Sequence, residues 1–334
     1  MSETVAFSKH SVNVFFHILT KCNLKCCHCY INPGQHGNNT LSIETIRSWL
    51  SLFVNKTQNA NLIFLGGEPT LHPDLDKAVK AAHEMGYSSI TIDTNGYLFN
   101  DILNKIEPDD IDFLSFSLDG VTVKTNDRIR GNGCYGQCVS GIRQAVKRGF
   151  KTSLIFTVSN ENIHELHMMP DLLSRIGVNR FFIQVIGIRG KSANMGKTKL
   201  QVDRRTWMTL IPSVADQAAD LGITVTYPKV FLKDAETFEC AGLVADNYFI
   251  FPNGRVYRCP LCEDYSLHSF EIIDNVLVPK EKINEQDLFA LNVPEGCVMN
   301  KLVQPANLSY DDDGTPDYKI ACCLLKEEIS PHNP

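Results

Sequence analysis

Four cysteines lie close together near the start of the sequence: Cys22, Cys26, Cys27 and Cys29. Thiols at this density can hold zinc, form a redox pair, form disulfides or bind an iron–sulfur cluster. The chain has 12 cysteines, and residues 1–10 lack the cationic and apolar segments of a signal peptide. We therefore expect a cytoplasmic protein, whose reduced thiols are better explained by metal binding or catalysis than by disulfides.

The spacing of three of these cysteines favours one alternative. Cys22, Cys26 and Cys29 form a C-x3-C-x2-C arrangement. A zinc knuckle would normally add a second C-x2-C pair, and a redox C-x-x-C pair would leave Cys22 without a role. Three thiolates can instead hold three irons of a [4Fe–4S] cube and leave the fourth iron open to a ligand. Cys27 is then a spare thiol, and His28 either tunes the solvation of the cluster or is an ordinary loop residue.

Alternating strands and helices must position this motif. Short apolar segments predict strands at residues 12–19, 61–65, 89–93, 112–118, 152–158 and 181–186. Amphipathic stretches between them predict helices, the first capped by Ser42 and the second ending before Gly86, and a glycine that can adopt positive φ follows four of the helices. Strand–helix units in this order imply parallel strands joined by right-handed crossovers. The predicted fold class is α/β, a partial (β/α)6 TIM-like barrel with its active groups at the carboxyl ends of the strands.

The pattern changes after residue 227. Residues 248–251 and 255–258 flank a Pro252-Asn253-Gly254 turn and predict a β-hairpin, and cysteines become frequent on both sides of it. We interpret residues 1–227 as the barrel core and residues 228–334 as a small cysteine-rich domain stabilised by metal.

The cysteine motif follows the first strand directly and precedes the aromatic Tyr30. This arrangement resembles the signature of the radical S-adenosylmethionine (radical SAM) enzymes, and the resemblance runs from about residue 12 to residue 186. It implies that Cys22, Cys26 and Cys29 bind a catalytic [4Fe–4S] cluster that chelates S-adenosylmethionine. In the family the reduced cluster cleaves this cofactor to methionine and a 5′-deoxyadenosyl radical, which abstracts hydrogen from a substrate. An electron donor such as flavodoxin or ferredoxin is an implied partner.

Further segments resemble the cofactor-binding motifs of the family. Gly66-Gly67-Glu68-Pro69 follows the second strand, where the family binds the cofactor's amino group, since glycines permit close approach and a carboxylate pairs with an ammonium. Arg130 resembles the arginine that pairs with the cofactor's carboxylate, with a surface arginine as the alternative. The resemblance assigns cofactor binding to Tyr30, Gly66, Gly67, Glu68, Pro69, Thr94, Asn95, Ser117, Asp119, Arg130, Val185 and Ile186. For Val185 and Ile186, barrel core is the alternative.

The hairpin after residue 227 carries a second motif. Cys240, Gly254 and Cys259 have the C-x(9–15)-G-x4-C form that opens the SPASM and twitch extensions of the family. The resemblance implies one auxiliary [4Fe–4S] cluster bound by Cys240, Cys259, Cys297 and Cys322, with Cys262 or Cys323 able to replace either of the last two. Some sulfatase-maturing relatives place an aspartate base after the second hairpin cysteine, but Pro260 stands there in this chain.

The substrate is left open by the sequence. A formal net charge of −6 without a basic block argues against nucleic acid, and no segment is long enough to span a membrane. A peptide is one candidate, as in enzymes that crosslink ribosomally made peptides, although the segment before the first strand is too short for a leader-binding domain. A small metabolite such as a sugar or tetrapyrrole is the other. A non-catalytic iron–sulfur scaffold is the alternative of a different class.

Overall fold

The computed structural model describes residues 3–5, 10–54, 59–194, 200–233 and 235–331. Within these residues one sheet of 13 strands runs through the molecule in the order β1-β13-β8-β7-β6-β5-β4-β3-β2-β9-β10-β11-β12. The strands are β1 (Glu3–Val5), β2 (Ser11–His17), β3 (Asn59–Leu65), β4 (Ser89–Thr94), β5 (Phe113–Ser117), β6 (Thr152–Val158), β7 (Arg180–Val185), β8 (Thr224–Pro228), β9 (Asp246–Ile250), β10 (Arg255–Tyr257), β11 (Phe270–Ile273), β12 (Val276–Pro279) and β13 (Lys326–Ile329).

Strands β2 to β8 are parallel and lie side by side in chain order. The predicted α/β partial barrel is therefore confirmed. The observed barrel has a seventh parallel strand, because β8 pairs with β7 in the register Arg180 to Thr224. The outermost strands of the sheet are β1 and β12, so the sheet stays open within the described residues.

Helices lie between and after these strands, and those that contribute to the main hydrophobic core pack on the outer face of the sheet. They are α1 (Pro33–His36), α2 (Ile43–Ser51), α3 (Leu75–Met85), α4 (Ile102–Lys105), α5 (Val123–Arg130), α6 (Cys134–Lys147), α7 (Met169–Ile176), α8 (Arg204–Asp220), α9 (Ala241–Val244), α10 (Glu285–Phe289) and α11 (Val298–Val303). Ser42 caps α2 by accepting a hydrogen bond from the Thr45 amide at 3.2 Å. Gly86 ends α3 with φ of 87°, as the sequence predicted.

The alternation of side chains along each strand divides the barrel into two faces. On β4, Ile90 and Ile92 are buried in the main hydrophobic core, whereas Thr91 and Asp93 face a cavity inside the barrel. Strand β2 follows the same rule, with Val14 in the core and Phe15 facing the cavity. The inner face of the sheet therefore presents polar and aromatic side chains to the barrel interior.

The region after β8 extends the sheet at both edges of the barrel. Strand β9 pairs in parallel with β2, and β13 pairs antiparallel with β8 and with β1. The predicted β-hairpin corresponds to β9 and β10, which pair antiparallel. The division between residues 227 and 228 stays a prediction, and main-chain hydrogen bonds of the sheet connect its two sides.

A second hairpin, β11–β12, was not predicted. Its turn residues Asp274 and Asn275 have φ of 50° and 61°, the conformation of a type I′ turn, and their residue types carried the signal in the sequence. Among the described residues, no helix is both long enough and apolar enough to cross a membrane.

Candidate active site

A cavity of about 210 Å³ opens at the carboxyl ends of the parallel strands. We call it the cysteine-loop cavity, because Cys22, Cys26 and Cys29 line it. Of the residues predicted to bind S-adenosylmethionine, those that line it are Tyr30, Gly66, Gly67, Glu68, Pro69, Thr94, Asn95, Ser117, Arg130, Val185 and Ile186. Residues separated by more than 150 positions in the chain thus meet in one place.

The loop that carries the three cysteines is held on two sides. The Leu24 amide donates a hydrogen bond to the Cys22 sulfur at 3.3 Å, and Asn95 Nδ2 after β4 lies 3.9 Å from the same sulfur. On the other side, the Cys27 amide donates to the Ile129 carbonyl of α5 at 3.0 Å. All 12 cysteines are free thiols. The loop is therefore fixed by the protein, and its thiols are available as ligands.

Gly66 and Gly67 bring β3 against this loop. The Gly67 amide donates to the Leu19 carbonyl at 3.0 Å, and the Glu68 amide donates to the Lys21 carbonyl at 3.0 Å. A Cβ on Gly67 would lie 2.4 Å from the carbonyl oxygens of Thr20 and Lys21. The glycine is therefore required by the contact between two protein segments, in addition to any approach of a ligand.

Glu68 is almost fully buried, and its carboxylate already has protein donors. Oε1 accepts hydrogen bonds from the Thr70 amide at 3.1 Å, from the Thr70 hydroxyl at 2.5 Å and from the Thr94 hydroxyl at 2.8 Å. Oε2 accepts from the Asn95 amide at 2.7 Å. Burial raises the pKa of Glu68, while these donors lower it. Glu68 thus ties the end of β4 to the turn after β3, a role that the sequence did not suggest.

Asp119 lies behind the cavity and does not line it. Its Oδ2 is 2.6 Å from Arg130 Nε and 3.1 Å from His28 Nε2, and its Oδ1 accepts from the Thr157 amide at 2.8 Å. Although burial opposes ionisation, Arg130 and His28 lower the pKa of Asp119 to about 2. Burial lowers the pKa of His28, but Asp119 outweighs this and raises it to about 9. Asp119 therefore orients two side chains that line the cavity, Arg130 and His28.

Tyr30 separates the cysteine-loop cavity from a larger one. Its hydroxyl is 2.8 Å from His17 Nε2, while His17 Nδ1 is 3.1 Å from the Ile250 carbonyl. Because a carbonyl only accepts, Nδ1 carries the hydrogen and Nε2 accepts from the Tyr30 hydroxyl. Burial lowers the pKa of His17 to about 3, so the ring is neutral. The Tyr30 hydroxyl is thus committed to His17, and the Tyr30 ring forms the wall.

The larger cavity, which we call the barrel cavity, has a volume of about 420 Å³. It shares Tyr30, Asp93 and Val185 with the cysteine-loop cavity. Burial raises the pKa of Asp93 to about 7, and it raises the pKa of Glu263, which also faces this cavity, to about 8 despite the nearby Arg189. The barrel interior therefore contains two carboxyl groups that can exchange protons near neutral pH.

A third cavity, the C-terminal cysteine cavity, is lined by all four predicted ligands of the auxiliary cluster. These residues are Cys240, Cys259, Cys297 and Cys322. Cys323 also lines it and contacts the barrel cavity, whereas Cys262 does not line it but is buried beside Cys259 in the same hydrophobic cluster. Within the described part of the chain, no three His, Cys, Asp or Glu side chains converge as a single metal ion would require. Cys134 and Cys138 are buried and line none of the three cavities.

A comparison with protein families identifies this arrangement. Residues 17–173 match the family model described as the Radical SAM superfamily. Residues 17–173 thus form a radical SAM domain. The matched residues contain the cysteine loop, the Gly66–Glu68 turn and the ends of β4 and β5.

Similar radical SAM proteins have several different names. Fe-coproporphyrin III synthase of Methanosarcina barkeri is 29% identical over 206 residues, which cover 60% of this chain and 51% of the relative. A probable GTP 3′,8-cyclase of Saccharolobus islandicus is 30% identical over 48% of this chain and 53% of its own length. Pre-heme d1 synthase of Dinoroseobacter shibae is 28% identical over 62% of this chain and 52% of its own length. The chain thus spans about half the length of the curated relatives it matches.

Solved radical SAM structures share the fold over more of the chain. Streptococcus suis SuiB bound to S-adenosylmethionine superposes with a TM-score of 0.63 at 16% identity, covering 87% of this chain and 71% of SuiB. SuiB bound to the precursor peptide SuiA gives a TM-score of 0.62 at 17% identity, covering 85% of this chain and 65% of SuiB. Because these alignments include the region after β8, the likeness of fold extends beyond the family match.

The cofactors of this radical SAM chain are a [4Fe–4S] cluster and S-adenosylmethionine, and its many cysteines are consistent with an auxiliary cluster. The residues present fit these groups, because three free thiols surround one cavity and at least four surround another. Arg130 adds a cation to the first cavity.

Several residues of the site were not predicted from the sequence. His28, Gln184 and Arg189 line the cysteine-loop cavity, and Lys326 lines the barrel cavity. His28 has the strongest signal, since it stands inside the cysteine motif. Lys326 has none, because it is far from the motif in the chain and reaches the barrel only through the pairing of β13 with β8.

Proposed function

We propose that this radical SAM enzyme modifies a substrate held in the barrel cavity and reacts with it at the junction with the cysteine-loop cavity. The observation that carries the proposal is the position of the barrel cavity between two groups of cysteines. It shares Tyr30, Asp93 and Val185 with the first cavity, and Pro260 and Cys323 with the third. A substrate there would lie against both metal sites.

The proposed roles of the chain's residues follow from their contacts. Cys22, Cys26 and Cys29 would hold the cluster, which supplies the electron that cleaves S-adenosylmethionine and so starts hydrogen abstraction. Arg130, oriented by Asp119, would bind the cofactor's carboxylate. Asp93 and Glu263 are the candidates to accept a proton from the substrate, since both face the barrel cavity.

The second metal site is proposed for Cys240, Cys259, Cys297 and Cys322. Cys323 is the alternative ligand that shares their cavity, and it can replace Cys297 or Cys322. An auxiliary cluster at this position would accept the electron left after hydrogen abstraction or bind the substrate.

A small organic metabolite is our first candidate for the substrate class. The relatives at 28–30% identity are named as synthases of Fe-coproporphyrin III and pre-heme d1 and as a probable GTP cyclase, and each of these names refers to a small molecule. A cavity of about 420 Å³ lies within the size range of small-molecule sites. The substrate would be a tetrapyrrole, a sugar or another compact acid or alcohol.

A peptide is the second candidate, favoured by the fold shared with SuiB bound to the precursor peptide SuiA. In that case the product would be a modified peptide of the type made by maturases of ribosomally synthesised peptides. One side chain of the peptide would occupy the barrel cavity.

The experiment is anaerobic reconstitution with iron and sulfide, reduction with dithionite and measurement of 5′-deoxyadenosine formed from S-adenosylmethionine. We expect turnover in the wild type, none in Cys26→Ala, and undiminished turnover in the matched variant Cys27→Ala. Absence of 5′-deoxyadenosine in a wild type that contains iron would refute the enzyme and favour the non-catalytic scaffold.

Iron content tests the second site separately. Two [4Fe–4S] clusters correspond to about eight irons per chain. We expect Cys240→Ala to bind about half of this amount and Cys134→Ala, a change of a buried thiol outside the three cavities, to keep all of it. Equal iron in the wild type and Cys240→Ala would exclude the proposed auxiliary ligands.

A further inference from the structure

Three cationic side chains line the barrel cavity, and two of them have carboxylate partners. Arg180 Nη2 lies 3.4 Å from Glu328 Oε2, and Arg189 Nη1 lies 2.9 Å from Glu263 Oε2. Both guanidinium groups also lie over aromatic rings, Arg180 over Phe113 and Arg189 over Tyr30. Both cations therefore have a carboxyl partner within the protein, and Glu263 balances the charge of Arg189 when it is ionised.

Lys326, the third cation, lies on β13 and has no such partner. Its Nζ donates a hydrogen bond to the Cys323 carbonyl at 3.2 Å and lies 4.5 Å from the centroid of the Phe182 ring. Among the described residues, no carboxylate oxygen lies within ion-pair distance of Nζ. Burial lowers the pKa of Lys326 to about 8, and the acidic groups that act against this are the thiols of Cys322 and Cys323. An ammonium has three donors, and these contacts satisfy one donor and part of the charge.

An ammonium enclosed in a cavity is costly unless an anion or several acceptors compensate it. Arg180 and Arg189 show that this fold supplies carboxylates to the other two cations of the same cavity. The aromatic rings of Phe182 and Phe113 form an apolar wall next to Lys326 and Arg180. A ligand with an anionic group on a flat or apolar body would complement this wall.

We propose that Lys326 binds a carboxylate of the substrate in the barrel cavity. This inference rests on the proposed function and names the chemical class of its substrate: an organic acid, or a peptide that presents an acidic side chain. Lys326 is a binding residue in this assignment and takes no part in the electron transfer.

The charges of the cavity also give the bound substrate a direction. Asp93 stands where the barrel cavity meets the cysteine-loop cavity, whereas Lys326 contacts the Cys323 segment beside the C-terminal cysteine cavity. Arg189 lies at the same junction but is paired with Glu263, so a carboxylate is repelled by ionised Asp93 and attracted by Lys326. The acidic end of the substrate therefore points towards the C-terminal cysteines, and the other end points towards the cysteine-loop cavity.

The test measures binding in the reconstituted enzyme, since the natural substrate is unidentified. Anaerobic calorimetry compares 2-naphthoate with its uncharged analogue 2-naphthamide. A charge-assisted hydrogen bond predicts that wild type binds the acid about tenfold more tightly than the amide, or better. K326M should reduce this ratio to about one, and K326R should preserve most of it.

Two controls make the result specific. Lys229→Met removes another lysine next to β13 whose Nζ is paired with Glu236 and Glu327, so the preference for the acid should survive. If K326M does not fold, K326Q replaces it in the same comparison. A wild type that binds acid and amide equally would overturn the proposal. The proposal would also be overturned if K326M kept the preference for the acid and the spectrum of the second cluster changed. Lys326 would then interact with the cluster and not with the substrate.

Two further comparisons distinguish a peptide carboxylate from a free organic acid, and a failure of this inference from a failure of the proposed function. The peptides acetyl-Gly-Glu-Gly-amide and acetyl-Gly-Gln-Gly-amide test a peptide acid, and 2-naphthoate tests a free organic acid; dependence on Lys326 in either pair supports the proposal. Formation of 5′-deoxyadenosine without any preference for acids would refute this inference and leave the proposed function intact. A preference for acids without formation of 5′-deoxyadenosine would refute the proposed function and leave Lys326 as a carboxylate-binding residue.

Discussion

A residue outside the cysteine-loop cavity controls part of its lining. Asp119 has no exposed surface and pairs with both Arg130 and His28. Removing its charge would leave the Arg130 guanidinium without its buried partner and free to change its position. The sequence suggested Asp119 as a direct cofactor contact, and its placement behind the cavity favours an indirect effect.

We predict that Asp119→Asn weakens the binding of S-adenosylmethionine about tenfold or more, because it disorients Arg130. Equilibrium dialysis with the reconstituted enzyme measures the dissociation constant. Asp171→Asn, at an exposed position on α7, is the control and should bind as the wild type does. An unchanged constant in Asp119→Asn would mean that Arg130 does not depend on this pair.

Asp93 should make stability depend on pH. Burial raises its pKa to about 7, against a hydrogen bond from Ser115, so the folded state holds this proton more tightly than the unfolded state. Stability therefore falls as pH rises from about 4 to about 7 and then levels off. Asp93→Asn removes this dependence. Its thermal midpoint relative to the wild type should rise by about 2 °C or more between pH 5 and pH 8. A difference that is the same at both pH values would contradict the assignment.

At this scale the sequence predicted residue types better than contacts. The C-x3-C-x2-C spacing grouped Cys22, Cys26 and Cys29 in the prediction, because the motif is contiguous in the chain, and all three line the cysteine-loop cavity. The hydrogen bonds of Glu68 could not be read from it, since their donors Thr94 and Asn95 follow a different strand. Lys326 was not predicted for the same reason, because the pairing of β13 with β8 brings it to the barrel.

Among the elements, the turn after β3 is the most constrained. Gly67 has no room for a Cβ beside the carbonyl oxygens of Thr20 and Lys21, and main-chain hydrogen bonds join the two segments. The turn and the cysteine loop are thus one structural unit. A change in one should alter the other.

We predict that Gly67→Ala pushes the cysteine loop away from β3 and lowers iron at the first site, because a contact of 2.4 Å to main-chain oxygens must be relieved. Iron analysis and the thermal midpoint measure the effect. Gly136→Ala is the matched control, since Gly136 lies inside α6 with open space around it. It should bind iron normally and gain up to about 1 kcal/mol of stability from helix propensity. Normal iron in Gly67→Ala would show that the loop tolerates the shift.

Elements with strong local signals were predicted well. Ser42 and Gly86 mark helix ends by their own chemistry, and the structure has those ends at the expected places. The region after β8 was read less completely, because α9, α10 and α11 are too short to show a helical period. Of the two hairpins in this region, the one with its turn at Gly254 was predicted, and the one with its turn at Asp274–Asn275 was not.

For the whole molecule, β13 joins the end of the described chain to the barrel. Ile329 pairs with Val225 of β8 and is 1% exposed in the main hydrophobic core. No local pattern could predict this, because pairing across about 100 residues is decided by packing. The predicted boundary at residue 227 therefore describes a change of pattern, while the sheet continues across it.

We predict that Ile329→Ala destabilises the barrel by about 2–4 kcal/mol through the cavity it leaves. The thermal midpoint of the whole chain should fall, and limited proteolysis should become faster in the core. Ile283→Ala is the matched control, because Ile283 is 82% exposed and should change neither. If cleavage increased only after residue 228, the core would be independent of β13.

One stack of rings joins the two metal-binding regions. Phe251 lies between His17 and His36, with ring centroids 4.1 and 4.0 Å apart. His17 ends β2, immediately before the loop of Cys22, and Phe251 begins the turn whose return strand leads to Cys259. Because these three rings are fully buried and packed together, the separation between the two proposed clusters is set by the polypeptide in advance of any ligand. The rate of electron tunnelling from one cluster to the other should accordingly be a constant of this protein, the same with and without substrate.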